Sequence, residues 1–155
     1  MLTLTIKNKK PFHIRNPENI HTPRLLVFRD RVLQNIESMK KILNSTFPET
    51  GFRHLCCHLK TNKSSSIIKM MINEGIHDVK VTLNEAQLAA ECGCRTVFIA
   101  YPLLENGTRK ACELMKHYSG TQFILQAGCR EHAGLLAAAA SSMDVRIPVM
   151  IDSSH

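Results

Sequence analysis

Two lysines three positions apart, Lys60 and Lys63, stand in the segment Cys57-His-Leu-Lys-Thr-Asn-Lys-Ser64, directly after an apolar run. A lysine at the exit of a strand can attack a carbonyl, but only as the neutral amine. Free lysine titrates near pH 10.4, so about one molecule in a few thousand is neutral at pH 7. Apolar walls at the mouth of a sheet would lower that value, and Schiff-base chemistry becomes available. The same pair also reads as surface lysines at a helix start, although cations there oppose the helix dipole. His58 alternates with Lys60 along a strand, so it could approach a ligand held by Lys60 or be an interior histidine satisfied by a hydrogen bond. Tyr101 precedes Pro102 at another strand end. Its hydroxyl could donate to a phosphate or a substrate, or rest in water at the rim. Thr82 and Asp152 follow strand ends too, and each suits a helix cap or turn as well as a ligand.

These residues need elements to place them. Residues 1–21 mix charge, Pro and Asn without sustained periodicity and read as a tail or irregular lead-in; residues 22–155 read as one partial domain. Arg24-Leu-Leu-Val-Phe28 is an apolar run that predicts a strand, and Asp30 is placed to cap a helix carrying Val32, Leu33, Ile36, Met39 and Leu43 on one face. That helix should end before Pro48. Apolar runs recur near 53–59, 78–82, 96–101, 122–127 and 146–151, with amphipathic helical stretches near 64–74, 83–92, 105–118 and 130–142 between them. Gly75 and Gly93 sit where left-handed helix ends are expected, and Thr82-Leu-Asn-Glu85 has capping-box spacing. Met70, Met71, Met115 and Met143 fall on helix faces as packing residues. Strand and helix alternating at short spacing predict an α/β fold with a parallel sheet.

An open doubly wound sheet and a closed (β/α) barrel both fit that alternation. Neither GxGxxG nor GxxxxGK[ST] occurs, which removes the usual signatures of the open nucleotide-binding sheet. Lys60, Thr82, Tyr101 and Asp152 all follow strand ends, where barrel enzymes keep their chemistry. The expectation is therefore an incomplete TIM-type barrel of about five to six parallel strands, because a full barrel typically needs about 250 residues.

Composition narrows the partners. The chain has 155 residues and a formal charge of +7, yet its basic residues are scattered and lack the aromatic interleaving that stacks bases. Nucleic acid is not expected. No apolar stretch has the length of a signal peptide or a membrane span, so no membrane and a reducing, cytoplasmic setting are expected. In that setting the six cysteines are thiols. Adjacent Cys56 and Cys57 point to opposite faces of a strand, and Cys92 and Cys94 form no CxxC pair, so ordinary thiols are expected rather than a metal site. Too few strands to close a barrel leave unpaired edges, which invite self-association into a homo-oligomer.

The stretch His58-Leu-Lys60-Thr-Asn-Lys63-Ser resembles the His-x-Lys-Thr-His-Lys signature of the D-threonine aldolase and D-serine dehydratase family, one of the pyridoxal-phosphate barrels related to the alanine racemase N-terminal domain. Thr22-Pro-Arg-Leu-Leu-Val followed by Asn35-Ile is similar to that family's opening strand and helix. Thr82-Leu-Asn-Glu85-Ala, Ile99-Ala-Tyr-Pro-Leu103 and Ile151-Asp-Ser-Ser-His155 continue the likeness in order, the last looking like the start of an Ile-Asp-x-Gly-x-His-Arg-x-Gly motif. Cys57 stands where the family has Pro, Asn62 where it has a second His, and Ser154 where it has Gly.

The resemblance implies that Lys60 holds pyridoxal phosphate covalently, with His58 and Tyr101 beside the cofactor. It implies a lyase that cleaves or dehydrates D-hydroxy amino acids, small-molecule substrates, with this chain as the N-terminal part and inactive alone. The family's divalent metal is bound by His and Asp or Cys residues of a C-terminal domain, so no metal ligand carries over. A non-catalytic pyridoxal-phosphate-binding barrel and a truncated relative without activity remain as alternative readings.

Overall fold

The computed structural model describes residue 14 and residues 16–153 of the chain. Most of the expected lead-in, and the final Ser154 and His155, lie outside the described residues. Five strands run in the order β1 (Cys56–His58), β2 (Asp78–Val81), β3 (Thr96–Ile99), β4 (Gln122–Ala127) and β5 (Val149–Ile151). Each pairs in parallel with its neighbour in sequence, so the sheet order is also the chain order. A doubly wound sheet would reverse its order at a switch point. This sheet never does, so it is wound in one sense, as a barrel is, and is open at both edges.

The helices are α1 (Arg29–Thr46), α2 (Ser65–Asn73), α3 (Leu83–Glu91), α4 (Glu105–His117) and α5 (Arg130–Met143). Alternation along the strands decides which sheet face they cover. Val79 and Val81, Val97 and Ile99, and Phe123, Leu125 and Ala127 are all buried, whereas the residues between them stay half-buried. One face thus carries the core, with Ile68, Ala86, Ala89, Ala111 and Leu136 packed on it from the helices. The other face is the inner, open one.

The connections hold the strands in register. Gly75 and Gly93 end their helices at φ of +95° and +92°, a region that only glycine enters cheaply. Behind them Arg95 Nη2 pairs with Asp78 Oδ2 at 2.7 Å, and the Gln122 N–H donates to the Arg95 carbonyl at 2.8 Å. Between α4 and α5 one carbonyl serves two buried side chains: Thr108 Oγ1 at 3.1 Å and His132 Nε2 at 2.9 Å both donate to Leu103 O.

Three expectations are corrected at the start of the chain. Arg24–Phe28 forms no strand, and Leu25, Leu26 and Val27 are 90%, 42% and 51% exposed. An apolar run becomes a strand only when a neighbour accepts its ladder hydrogen bonds, and β1 pairs with β2 alone. Asp30 lies inside the first turn of α1, whose N-cap is Phe28, because the helix begins two residues earlier than the cap reading requires. Met39 is 39% exposed rather than packed with Ile36, since only part of α1 finds the core.

Candidate functional site

The loops that leave the strands gather at one end of the sheet. Lys60 lies two residues beyond β1, in a single 3-10 turn from Leu59 to Thr61. Leu59 is 1% exposed and anchors that turn in the core, which lifts Lys60 to the surface. Lys60 is thus exposed rather than enclosed. His58 and Lys60 do not alternate along one strand, because the strand ends at His58. Instead His58 Nδ1 accepts the Lys60 backbone N–H at 3.1 Å. That bond fixes the tautomer, leaving the ring proton on Nε2. Partial burial and then the nearby Lys60 and Lys80 charges press the imidazole below its ordinary pKa, with Glu85 opposing them weakly.

Lys63 is held differently. Its Nζ lies 2.9 Å from Glu85 Oε1, and Glu85 is 5% exposed. The other Glu85 oxygen closes the capping box at the start of α3, accepting the Thr82 N–H at 2.8 Å and the Thr82 hydroxyl. Burial alone would push this carboxyl up. The hydrogen bonds from Thr82 and Lys63, with the Lys63 charge, outweigh it and hold the group at about 2. Lys60, by contrast, enters no ion pair among the described residues.

Tyr101 lies beyond β3 and is 39% exposed, but its hydroxyl accepts the Leu83 N–H at 3.2 Å. It satisfies one of the orphan donors at the N-terminus of α3 and keeps its own proton to donate. Asp152, just past β5, accepts from Gln126 Nε2 at 2.6 Å. The mouth therefore holds two separate groups. Around β1, β2 and α3 stand His58 with the Lys60 backbone, Lys63 and Thr82 with Glu85, and Tyr101 with the Leu83 N–H, whereas Asp152 belongs to the β4–β5 side.

Sequence patterning left out Lys80, Phe98 and Gln126. Register puts His58, Lys80, Phe98 and Ile124 in one row across β1 to β4, on the face opposite the buried valines. Lys80 Nζ stands 5.8 Å from the centroid of the Phe98 ring. The signal was present in the sequence, because Lys80 sits between Val79 and Val81 in a period-two pattern. The thiols fit the ordinary reading in part: Cys94 is buried and pushed up to about 12 by desolvation, whereas Cys56 and Cys129 are exposed.

No family model matches this sequence. No curated protein matches it. In fold the chain is similar to the D-threonine aldolase from Filomicrobium marinum, with a TM-score of 0.72 at 18% identity. The match covers 84% of this chain and 34% of that one, so the chain spans about a third of its relative's length.

Proposed function

We propose that this chain is the N-terminal part of a pyridoxal-phosphate-dependent lyase acting on D-hydroxy amino acids, with Lys60 as the residue that holds the cofactor. The observation that carries the reading is the contrast between two neighbouring lysines at one strand exit. Lys63 is committed to Glu85, and Lys60 to no carboxylate among the described residues. The fold shared with a D-threonine aldolase supports the same assignment.

The described residues fit the covalent half of a cofactor site. Lys60 offers an uncommitted amine, the ion pair with Glu85 keeps Lys63 from competing, and neutral His58 can donate from Nε2. Tyr101 can donate from its hydroxyl to an acceptor at the same mouth. When bound, pyridoxal phosphate supplies an electron sink for negative charge at Cα of an amino acid. Barrel enzymes hold phosphate chiefly with loops after their seventh and eighth strands. The five strands here lack that anchor, so the chain by itself is proposed to give no turnover. No group of three or more His, Cys, Asp or Glu that could hold a metal occurs among the described residues.

Borohydride trapping tests the assignment. The chain is incubated with pyridoxal phosphate, reduced, digested and mapped by mass spectrometry. Label should fall on Lys60, vanish in Lys60→Ala and persist in Lys63→Ala. Equal label on Lys63 would overturn the choice between them. Release of aldehyde, pyruvate or ammonia from D-threonine or D-serine above the rate of free cofactor, and dependent on Lys60, would overturn the inactivity of the chain alone.

A further inference from the structure

The open face of the sheet carries a cation that none of the residues discussed so far neutralises. Lys80 is half-buried in the middle of β2, flanked by His58 on β1 and Phe98 on β3. Neighbouring parallel strands lie about 4.8 Å apart, so these three side chains stand side by side on one face. Lys80 makes no ion pair among the described residues. Asp78, two residues back along β2, pairs through Oδ2 with Arg95, and Glu85 is held by Lys63 and Thr82. The ring of Phe98 gives the ammonium a weak partner, which is worth less than a carboxylate and carries no charge. Two residues further along, past the end of β1, stands Lys60. It belongs to the 3-10 turn that leaves β1, just past the strand position that sets His58 beside Lys80.

We infer that Lys80, with His58 beside it and Phe98 at its flank, forms an anion-binding site on the open sheet face, next to the turn that bears Lys60, for the carboxylate or phosphate monoester of a small ligand. Lys80 supplies the charge, and His58 supplies one N–H from Nε2, since Nδ1 is already taken by the Lys60 backbone. Phe98 and Ile124 complete the row with apolar surface, on which the uncharged part of a small ligand can rest. The inference rests on the proposed function only for the source of the anion, which is either the cofactor's phosphate or the substrate's carboxylate.

The His58 imidazole reports on this site, because the Lys80 charge, after burial and the Lys60 charge, depresses its pKa. Its titration is followed by NMR in the 155-residue chain, with His58→Gln used to assign the signal. Inorganic phosphate should raise the His58 pKa in a saturable way that chloride at equal ionic strength does not reproduce. Lys80→Met should weaken that phosphate response by about tenfold or more, as expected for loss of a charge-assisted contact, and Lys80→Arg should keep it. A response equal in chloride, or unchanged in Lys80→Met, would overturn the site. Borohydride labelling at Lys60 then distinguishes the sources. If the site takes the cofactor's phosphate, Lys80→Met lowers labelling by pyridoxal phosphate and leaves labelling by pyridoxal unchanged. If it takes the substrate's carboxylate, Lys80→Met leaves both labels unchanged and weakens binding of D-threonine but not of D-threoninol. A Lys80-dependent phosphate response without any label on Lys60 would refute the proposed function and leave the anion site standing. Label on Lys60 without that response would do the reverse.

Discussion

Lys60 and Lys63 have the same chemistry and differ in what surrounds them, and the difference lies in Glu85. Its folded pKa of about 2 is depressed from 4.5, so its contribution to stability is complete above pH 4.5 and is lost as the pH falls toward 2. Thermal unfolding followed between pH 6 and pH 2.5 should therefore fall more steeply for the native chain than for Glu85→Gln. Parallel curves would mean that the pair with Lys63 and the bonds from Thr82 contribute nothing to folding. The position of Lys60 was legible in the sequence, because a strand exit is marked by the apolar run before it. Its exposure was not, because that depends on Leu59 turning into the core. The Lys63–Glu85 pair was hidden as well. The spacing of Thr82 and Glu85 announces a capping box, but nothing local tells that a lysine from the preceding unit will reach the same carboxylate. Tyr101 shows the same limit, since its bond to the Leu83 N–H joins residues from consecutive strand-helix units.

Among the elements, those with strong punctuation were read best. The capping box starts α3, Pro48 follows the end of α1, and Gly75 and Gly93 close their helices with positive φ. At Gly93 a Cβ would meet nothing within 4 Å, so any cost of a side chain there comes from the backbone alone. Gly93→Ala should destabilise the chain by about 1 kcal/mol in denaturant unfolding, the usual penalty for an L residue held at left-handed φ. An unchanged midpoint would show that the turn relaxes at no cost. Strands were placed correctly but drawn too long at several ends. Apolar residues continue past the last paired position, as at Leu59, where the side chain still packs although the ladder has stopped. Arg24–Phe28 failed for the opposite reason, having strand composition without a strand to pair with.

For the molecule as a whole, alternation of strand and helix was enough to predict a parallel α/β sheet, and the single winding sense settles barrel against doubly wound order. Charge and hydropathy were less informative: no described helix is long and apolar enough to cross a membrane, and the net charge of +7 is spread along the chain. The sheet order has one more consequence. β2, β3 and β4 are each hydrogen-bonded on both sides, whereas β1 and β5 are bonded on one side only. β3 also carries Val97 and Ile99, both 0% exposed, beneath the helices. Amide protons should consequently exchange with deuterium in a graded order, slowest in β3, intermediate in β2 and β4, and fastest in β1 and β5, because local opening needs fewer broken bonds at an edge. β1 carries the turn that bears Lys60, so the residue proposed to form the covalent bond hangs from one of the two most easily opened strands. A ligand that bridged Lys60 and Lys80 would tie this strand to its neighbour, and its binding should slow exchange in β1 more than in β5.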